Sequence, residues 1–135
     1  MGKKTYYHYT TKESFEEITK ENKLTNIAYA PIFICDDIES NLKYLIWKCM
    51  SDNKERLIFK FTTSFDIEEN SYQYVNKNLY DAVGYKVEAL EMDIEDIEVV
   101  VEIKLGRPIY EKEEAENIYK EVLKQVEMKG RAIIE

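Results

Sequence analysis

Twice in its first half, the sequence passes directly from a strand-like segment into a helix-capping pattern. Residues 6–9 are three tyrosines and one histidine, a composition that favours an extended strand. Thr10 and Glu13 follow with the spacing of a capping box, in which each side chain satisfies a free amide at a helix start. The pattern predicts a first helix from about residue 11 to residue 22. Its buried face would consist of Phe15 and Ile18.

The same order returns at residues 31–35, a short apolar run that predicts a second strand. Asp36 and Glu39 repeat the capping-box spacing and predict a helix that extends to about Met50. Its apolar positions follow the 3.6-residue period closely, so one face should pack on the core. These positions are Ile38, Leu42, Leu45, Ile46 and Cys49.

Beyond the second helix, two further strands and one helix are strongly indicated. Residues 56–62 alternate in a way that suits a strand with one buried face. Residues 97–105 are rich in valine and isoleucine and predict a central strand. Residues 111–128 have helical periodicity, and Gly130 is placed to end that helix. Strands interleaved with three helices, without strict alternation, predict an α+β fold.

The region between these strands gives weaker signals. Residues 63–80 are polar and rich in tyrosine, which predicts a loop with a short strand at residues 72–75. Gly84 predicts a turn before another strand at residues 85–90. The chain has only four glycines and two prolines and contains no linker-like segment. We therefore expect a single domain over residues 1–135.

The charge balance bears on possible partners. The 27 acidic and 19 basic residues give a net charge of −8, so direct binding to a nucleic-acid duplex is not expected. The sequence has no secretory signal and no apolar run long enough to span a membrane, so we expect a cytoplasmic protein without membrane contact. Cys35 and Cys49 are expected to be buried thiols. One histidine without a close cysteine pair predicts no metal site.

Histidine chemistry in this chain can occur only at His8. It lies in the predicted first strand, directly before a helix start, where ligands often meet α/β scaffolds. A neutral imidazole can both donate and accept a hydrogen bond, which suits a ribose diol. The alternative is an ordinary strand residue that is hydrogen-bonded to a neighbour.

The run Tyr7-His8-Tyr9-Thr10, followed by a helix of about three turns, resembles the first motif of the ADP-ribosyltransferase superfamily. The resemblance implies that His8 binds the nicotinamide-side ribose of NAD and that Tyr9 and Thr10 hold the nicotinamide amide through their backbone. It also implies a compact domain with a split, mostly antiparallel sheet.

A second resemblance involves two aromatic residues. Phe33 and Tyr44 have the separation of the diphtheria-toxin-like branch of that superfamily, in which two rings enclose the nicotinamide. Helix geometry places Tyr44 roughly 120° from the centre of the apolar face of its helix, so it could line a pocket. The alternative is a core phenylalanine with a half-exposed surface tyrosine.

A late glutamate completes the resemblance. Glu88, near a predicted strand, would be the catalytic carboxylate that stabilises positive charge on the ribose as nicotinamide leaves. Glu91 and Asp81 are fallbacks. The position two residues before Glu88 is Lys86, so the paired-acid signature of arginine-modifying members is absent. No arginine precedes Arg56, so a lysine would have to meet the NAD pyrophosphate, and Lys12, Lys20 and Lys23 are the candidates.

Together these resemblances imply an NAD-dependent ADP-ribosyltransferase-like protein that modifies a protein or a nucleic acid, as a toxin or phage effector. The alternative is a non-catalytic module of the same fold that binds a nucleotide or a host protein, such as an inhibitor of bacterial defence. A weaker third reading is a structural protein of a phage or mobile element. Transfer or hydrolysis of NAD distinguishes the enzyme from the module.

Overall fold

The structure is a computed structural model that describes residues 3–25, 32–68, 72–77 and 80–135. Within these residues, the helices are α1 (Lys12–Glu21), α2 (Ile38–Cys49) and α3 (Lys112–Lys129). The strands are β1 (Lys4–Thr11), β2 (Lys23–Thr25), β3 (Ile32–Ile34), β4 (Arg56–Thr63), β5 (Tyr72–Lys77), β6 (Tyr80–Val87), β7 (Glu91–Asp93), β8 (Glu95–Ile103) and β9 (Ala132–Ile134). The predicted α+β fold with three helices is confirmed.

The strands form a split, mostly antiparallel sheet, as expected. One sheet has the order β1-β4-β8-β9, in which β8 and β9 alone run parallel. A second has the order β3-β6-β5, and β2 pairs with β7. The backbones of Tyr7 and Cys35 join the first two sheets through hydrogen bonds of 2.7 and 3.0 Å. Cys35, directly after β3, is therefore paired with the edge of β1 that lies opposite β4.

Strand β1 separates two packed layers, because successive side chains of a strand point to opposite faces. Tyr6 belongs to a buried cluster with Leu24, Phe59 and Phe61, against which α1 packs. Tyr7 and Tyr9 contact the other cluster, which contains Leu42, Leu45 and Ile46 of α2 together with residues of β8 and α3. We refer to these two layers as the α1 side and the α2 side.

Both predicted helix starts lie one residue later than expected. Thr11, not Thr10, caps α1, and its hydroxyl accepts a hydrogen bond from the Ser14 amide at 3.2 Å. Asp37 caps α2 through the Ser40 amide at 2.6 Å. In each case the next residue is also a good cap, and pairing of β1 with β4 continues through Thr11, opposite Arg56, so α1 begins only after it. The end of α3 at Gly130, in left-handed conformation with φ 76°, is confirmed.

The prediction of a turn at Gly84 is wrong. Gly84 lies inside β6, paired with Gln73 of β5. A β-carbon at this position would come within 2.6 Å of two carbons of the Phe33 ring. The glycine therefore reflects close approach of a neighbouring side chain, not a change of chain direction.

Other predictions needed smaller corrections. The predicted strand at residues 85–90 already ends at Val87, as part of β6, and the short strands β2, β7 and β9 were not predicted. Strand β4 is buried on both faces at Ile58 and Phe59 because α2 covers the face opposite α1. Cys35 and Cys49 are free and buried, as expected. No helix in the described ranges is long and apolar enough to span a membrane.

Candidate functional site

His8 is fixed in position by its neighbours on two strands. Its ring packs edge-to-face on Phe59, the residue opposite it on β4, with centroids 5.7 Å apart. Its Nδ1 lies 2.8 Å from the carbonyl oxygen of Phe33 on β3. A carbonyl oxygen can only accept, so Nδ1 carries the proton and donates it. The neutral ring then presents Nε2 as a hydrogen-bond acceptor.

The environment keeps this imidazole uncharged. Burial lowers the pKa of His8 from 6.5 to about 4, and the hydrogen bond to Phe33 opposes that shift only in part. The charged form is disfavoured because the ring exchanges water for Phe59 and the surrounding β-strands. At neutral pH the His8 ring is therefore uncharged and has one donor nitrogen, Nδ1, and one acceptor nitrogen, Nε2.

His8 lines a cleft of about 430 Å³ on the α1 side. That volume is within the roughly 300–1,000 Å³ typical of small-molecule sites. Strands β1, β2 and β3 and helix α1 enclose the cleft. Its lining residues are His8, Tyr9, Thr10, Ser14, Glu17, Ile18, Glu21, Lys23, Leu24, Thr25, Ile32 and Phe33.

Four of the predicted site residues therefore meet at one cleft: His8, Tyr9, Thr10 and Phe33. The wall formed by α1 was not predicted to take part. Ser14, Glu17, Ile18 and Glu21 recur at intervals of three or four residues, so they share one face of that helix. This spacing is visible in the sequence, but Ile18 had suggested only a core contact.

Within the described ranges, two carboxylates and one ammonium group line the cleft. Glu17 and Glu21 are exposed on α1, and Glu17 forms an exposed ion pair with Lys20 at 3.2 Å. Lys23 is the lining cation, and its Nζ lies 3.0 Å from Glu91 on the paired strand β7. The hydrogen bond to Glu91 raises the pKa of Lys23. The other lysines considered for a pyrophosphate, Lys12 and Lys20, do not line the cleft.

Tyr44 lies on the α2 side and does not line the cleft. Its ring stacks on Tyr9 at 6.0 Å and meets Phe33 edge-to-face at 4.7 Å between centroids. The Phe33 and Tyr44 rings are thus in direct contact, which leaves no gap for a nicotinamide between them. Tyr44 is only 7% exposed, and burial raises the pKa of its hydroxyl well above the usual value. Tyr44 is therefore not the half-exposed surface residue of the alternative interpretation, and it does not line this cleft.

Glu88 is exposed just past the end of β6 and is not among the residues that line the cleft. The preceding residue, Val87, is buried and pairs with Ile32, which does line it. Glu91, a fallback, is engaged with Lys23, and the side chain of Asp81 lies outside the described residues. The structure therefore brings neither Glu88 nor Glu91 into the lining of the cleft that contains His8.

No group of three or more metal-binding side chains occurs in the part of the chain that the structure describes. Searches against models of protein families, against curated proteins and against solved structures found no match. The chemistry of this cleft therefore has to be argued from its own residues.

Proposed function

We propose that this protein is a binding module whose cleft on the α1 side recognises a ribose-containing ligand. The observation that carries the proposal is the fixed His8 tautomer, because its Nδ1 is occupied by Phe33 and its other nitrogen can only accept. Thr10 and Ser14 line the same cleft and add two hydroxyl groups. A sugar diol offers the matching donors and acceptors.

The hydroxyl of Ser14 is already oriented within the helix cap. It accepts a hydrogen bond from the Thr11 hydroxyl at 3.1 Å, so its own proton remains to be donated. The half-buried Phe33 ring and the buried Ile32 supply an apolar surface beside these groups. Such a mixture of apolar wall and few polar groups is typical of sites for small ligands.

Binding without turnover is favoured over transfer because the carboxylates that line the cleft, Glu17 and Glu21, are exposed on α1, and that of Glu17 is paired with Lys20. Loss of nicotinamide from NAD leaves positive charge on the ribose, which a carboxylate must meet at short range. Glu88 is exposed outside the cleft lining. The NAD-dependent ADP-ribosyltransferase activity implied by the sequence resemblance remains a prediction. Transfer to a protein or nucleic-acid acceptor remains a prediction as well.

Calorimetry with nicotinamide riboside and adenosine tests the proposal. Replacing Thr10 by valine removes one lining hydroxyl at nearly constant volume. We expect this change to weaken nucleoside binding about 3- to 10-fold, since a hydrogen bond contributes roughly 0.5–1.5 kcal/mol. The matched control is Thr5→Val on the same strand, because Thr5 is exposed and does not line the cleft.

A turnover assay separates the module from the enzyme. Wild-type protein is incubated with labelled NAD and compared with Glu88→Gln. We expect no release of nicotinamide from either, and equal nucleoside affinity in both. Release by the wild type that disappears in the variant would establish the transferase instead. If neither nucleoside binds the wild type, the proposed function is wrong.

A further inference from the structure

The charges around the cleft suggest a ligand class, an inference that rests on the proposed function. A phosphate group is normally met by arginine, by an unpaired lysine or by helix-start amides. The cleft has none of the chain's three arginines. These residues are paired elsewhere: Arg56 with Asp52, Arg107 with Glu114 and Arg131 with Glu102.

Among the described residues, Lys23 is the one lysine that lines the cleft, and it is poorly suited to replace the arginines. Lys23 already has a carboxylate partner, Glu91, at 3.0 Å, so a phosphate would have to compete with it. Residues 26–31, which follow β2 in the sequence, contain no charged side chain and add no cation. Glu17 and Glu21 place two carboxylates on the facing wall of α1.

We infer that the cleft binds a ribonucleoside that carries no phosphate, and that it prefers a cationic base over a neutral one. The ribose is met by His8, Thr10 and Ser14, while Glu21 repels a phosphorylated form and attracts a positively charged ring. Glu17 also lines the cleft, but its charge is shared with Lys20. At the helix start of α1, the Ser14 amide is bonded to Thr11 and the Lys12 amide to the Glu55 carbonyl, so a phosphate would have to displace these bonds.

A ligand series that differs only in phosphorylation tests this inference. Nicotinamide riboside, nicotinamide mononucleotide and NAD share the pyridinium ring and its ribose. At low ionic strength we expect the riboside to bind most tightly and each phosphorylated form to bind several-fold more weakly. The differences should shrink at high salt, because exposed charges are screened over about 10 Å at 0.1 M. Adenosine should bind more weakly than nicotinamide riboside.

Charge reversal on α1 supplies the matched pair of variants. Glu21→Lys should tighten binding of nicotinamide mononucleotide relative to the riboside by roughly 3- to 30-fold at low salt. Glu16→Lys makes the same change on the same helix at an exposed position outside the cleft lining and should leave the ratio unchanged.

The experiments distinguish failure of this inference from failure of the proposed function. Tighter binding of the mononucleotide or NAD than of the riboside by the wild type would overturn the inference and leave ribose recognition intact. An equal response to Glu21→Lys and Glu16→Lys would overturn the role of the α1 carboxylates in selectivity. Failure of the riboside and adenosine to bind at all would overturn the proposed function itself.

Discussion

The helices that cover the two faces of β1 are buried to different extents. On the α2 side, seven residues of α2 are buried, and Tyr9 stacks on Tyr44. On the α1 side, α1 has no buried residue, although it is nearly as long. It is attached through the half-buried Phe15, whose ring lies 5.2 Å from Phe59, and through Ile18.

This difference in packing means that the α2 side contributes mainly to stability, whereas the α1 side has room for a ligand. A close-packed layer stabilises the fold but leaves no volume for a ligand. Incomplete packing under α1 leaves the 430 Å³ cleft, and the residues that line it include the polar groups His8, Thr10 and Ser14. On the α1 side, β1 supplies the buried Tyr6 to the core and His8 and Thr10 to the cleft. On the α2 side, its Tyr7 and Tyr9 pack against the core.

The largest expected effect on stability comes from truncating an apolar side chain to alanine on each side of β1. Leu45→Ala on α2 removes a fully buried side chain and should lower the free energy of unfolding by about 2–5 kcal/mol. Ile18→Ala on α1 should cost no more than about 1–2 kcal/mol, because Ile18 is already part-exposed. Urea unfolding of both variants measures the contrast. Equal losses would mean that α1 is as much a part of the core as α2.

The next prediction concerns pH and His8. Because folding lowers the pKa of His8 from 6.5 to about 4, the unfolded chain binds more protons between these values. The contribution of neutral His8 is therefore complete above pH 6.5 and is lost as the pH falls toward 4. We expect a loss of about 1–3 kcal/mol over that window. The hydrogen-bonded ion pair with Arg56 lowers the pKa of Asp52 from 3.8 to about 2. The stabilisation from this carboxylate is therefore lost only below pH 3.8, outside the window of His8.

Urea unfolding at several pH values measures this dependence, and His8→Gln is the reference. The glutamine amide can still donate toward Phe33 but does not titrate in this range. The difference between the two proteins should therefore narrow as the pH falls from 6.5 to 4. A constant difference would mean that His8 has an ordinary pKa and is well solvated.

The elements that depend on local signals were predictable from the sequence. The apolar stripe of α2 and the Gly130 end of α3 depend on residues within a few positions of one another. The helix caps were found only to within one residue, because Thr10-Thr11 and Asp36-Asp37 each offer two candidates. Strand pairing, a non-local interaction, decides between the two threonines.

What the sequence did not reveal depends on contacts between distant segments. Gly84 is required by the Phe33 ring, about fifty positions earlier in the chain. Tyr44 lies off the main stripe of α2, yet it is buried because its ring packs on Tyr9 of β1 and Phe33 of β3. Helical periodicity describes one buried face and could not anticipate a second.

The smallest expected effect tests whether Tyr44 belongs to the core or to the cleft. Its hydroxyl is buried and has no hydrogen-bond partner among the described residues. Tyr44→Phe removes that unsatisfied group and keeps the ring contacts with Tyr9 and Phe33, so the free energy of unfolding should stay constant or rise by about 0.5–1 kcal/mol. Nucleoside affinity should not change, because Tyr44 lies behind Phe33.

Tyr110→Phe is the matched control, since Tyr110 is 69% exposed and its hydroxyl is solvated before and after folding. Tyr110→Phe should change neither the free energy of unfolding nor the nucleoside affinity. A stability loss above 1 kcal/mol in Tyr44→Phe alone would assign its hydroxyl a partner. A loss of nucleoside affinity alone would mean that the Phe33 ring moves aside and that the cleft reaches into the α2 side. The division of β1 into a packed face and a binding face would then have to be abandoned.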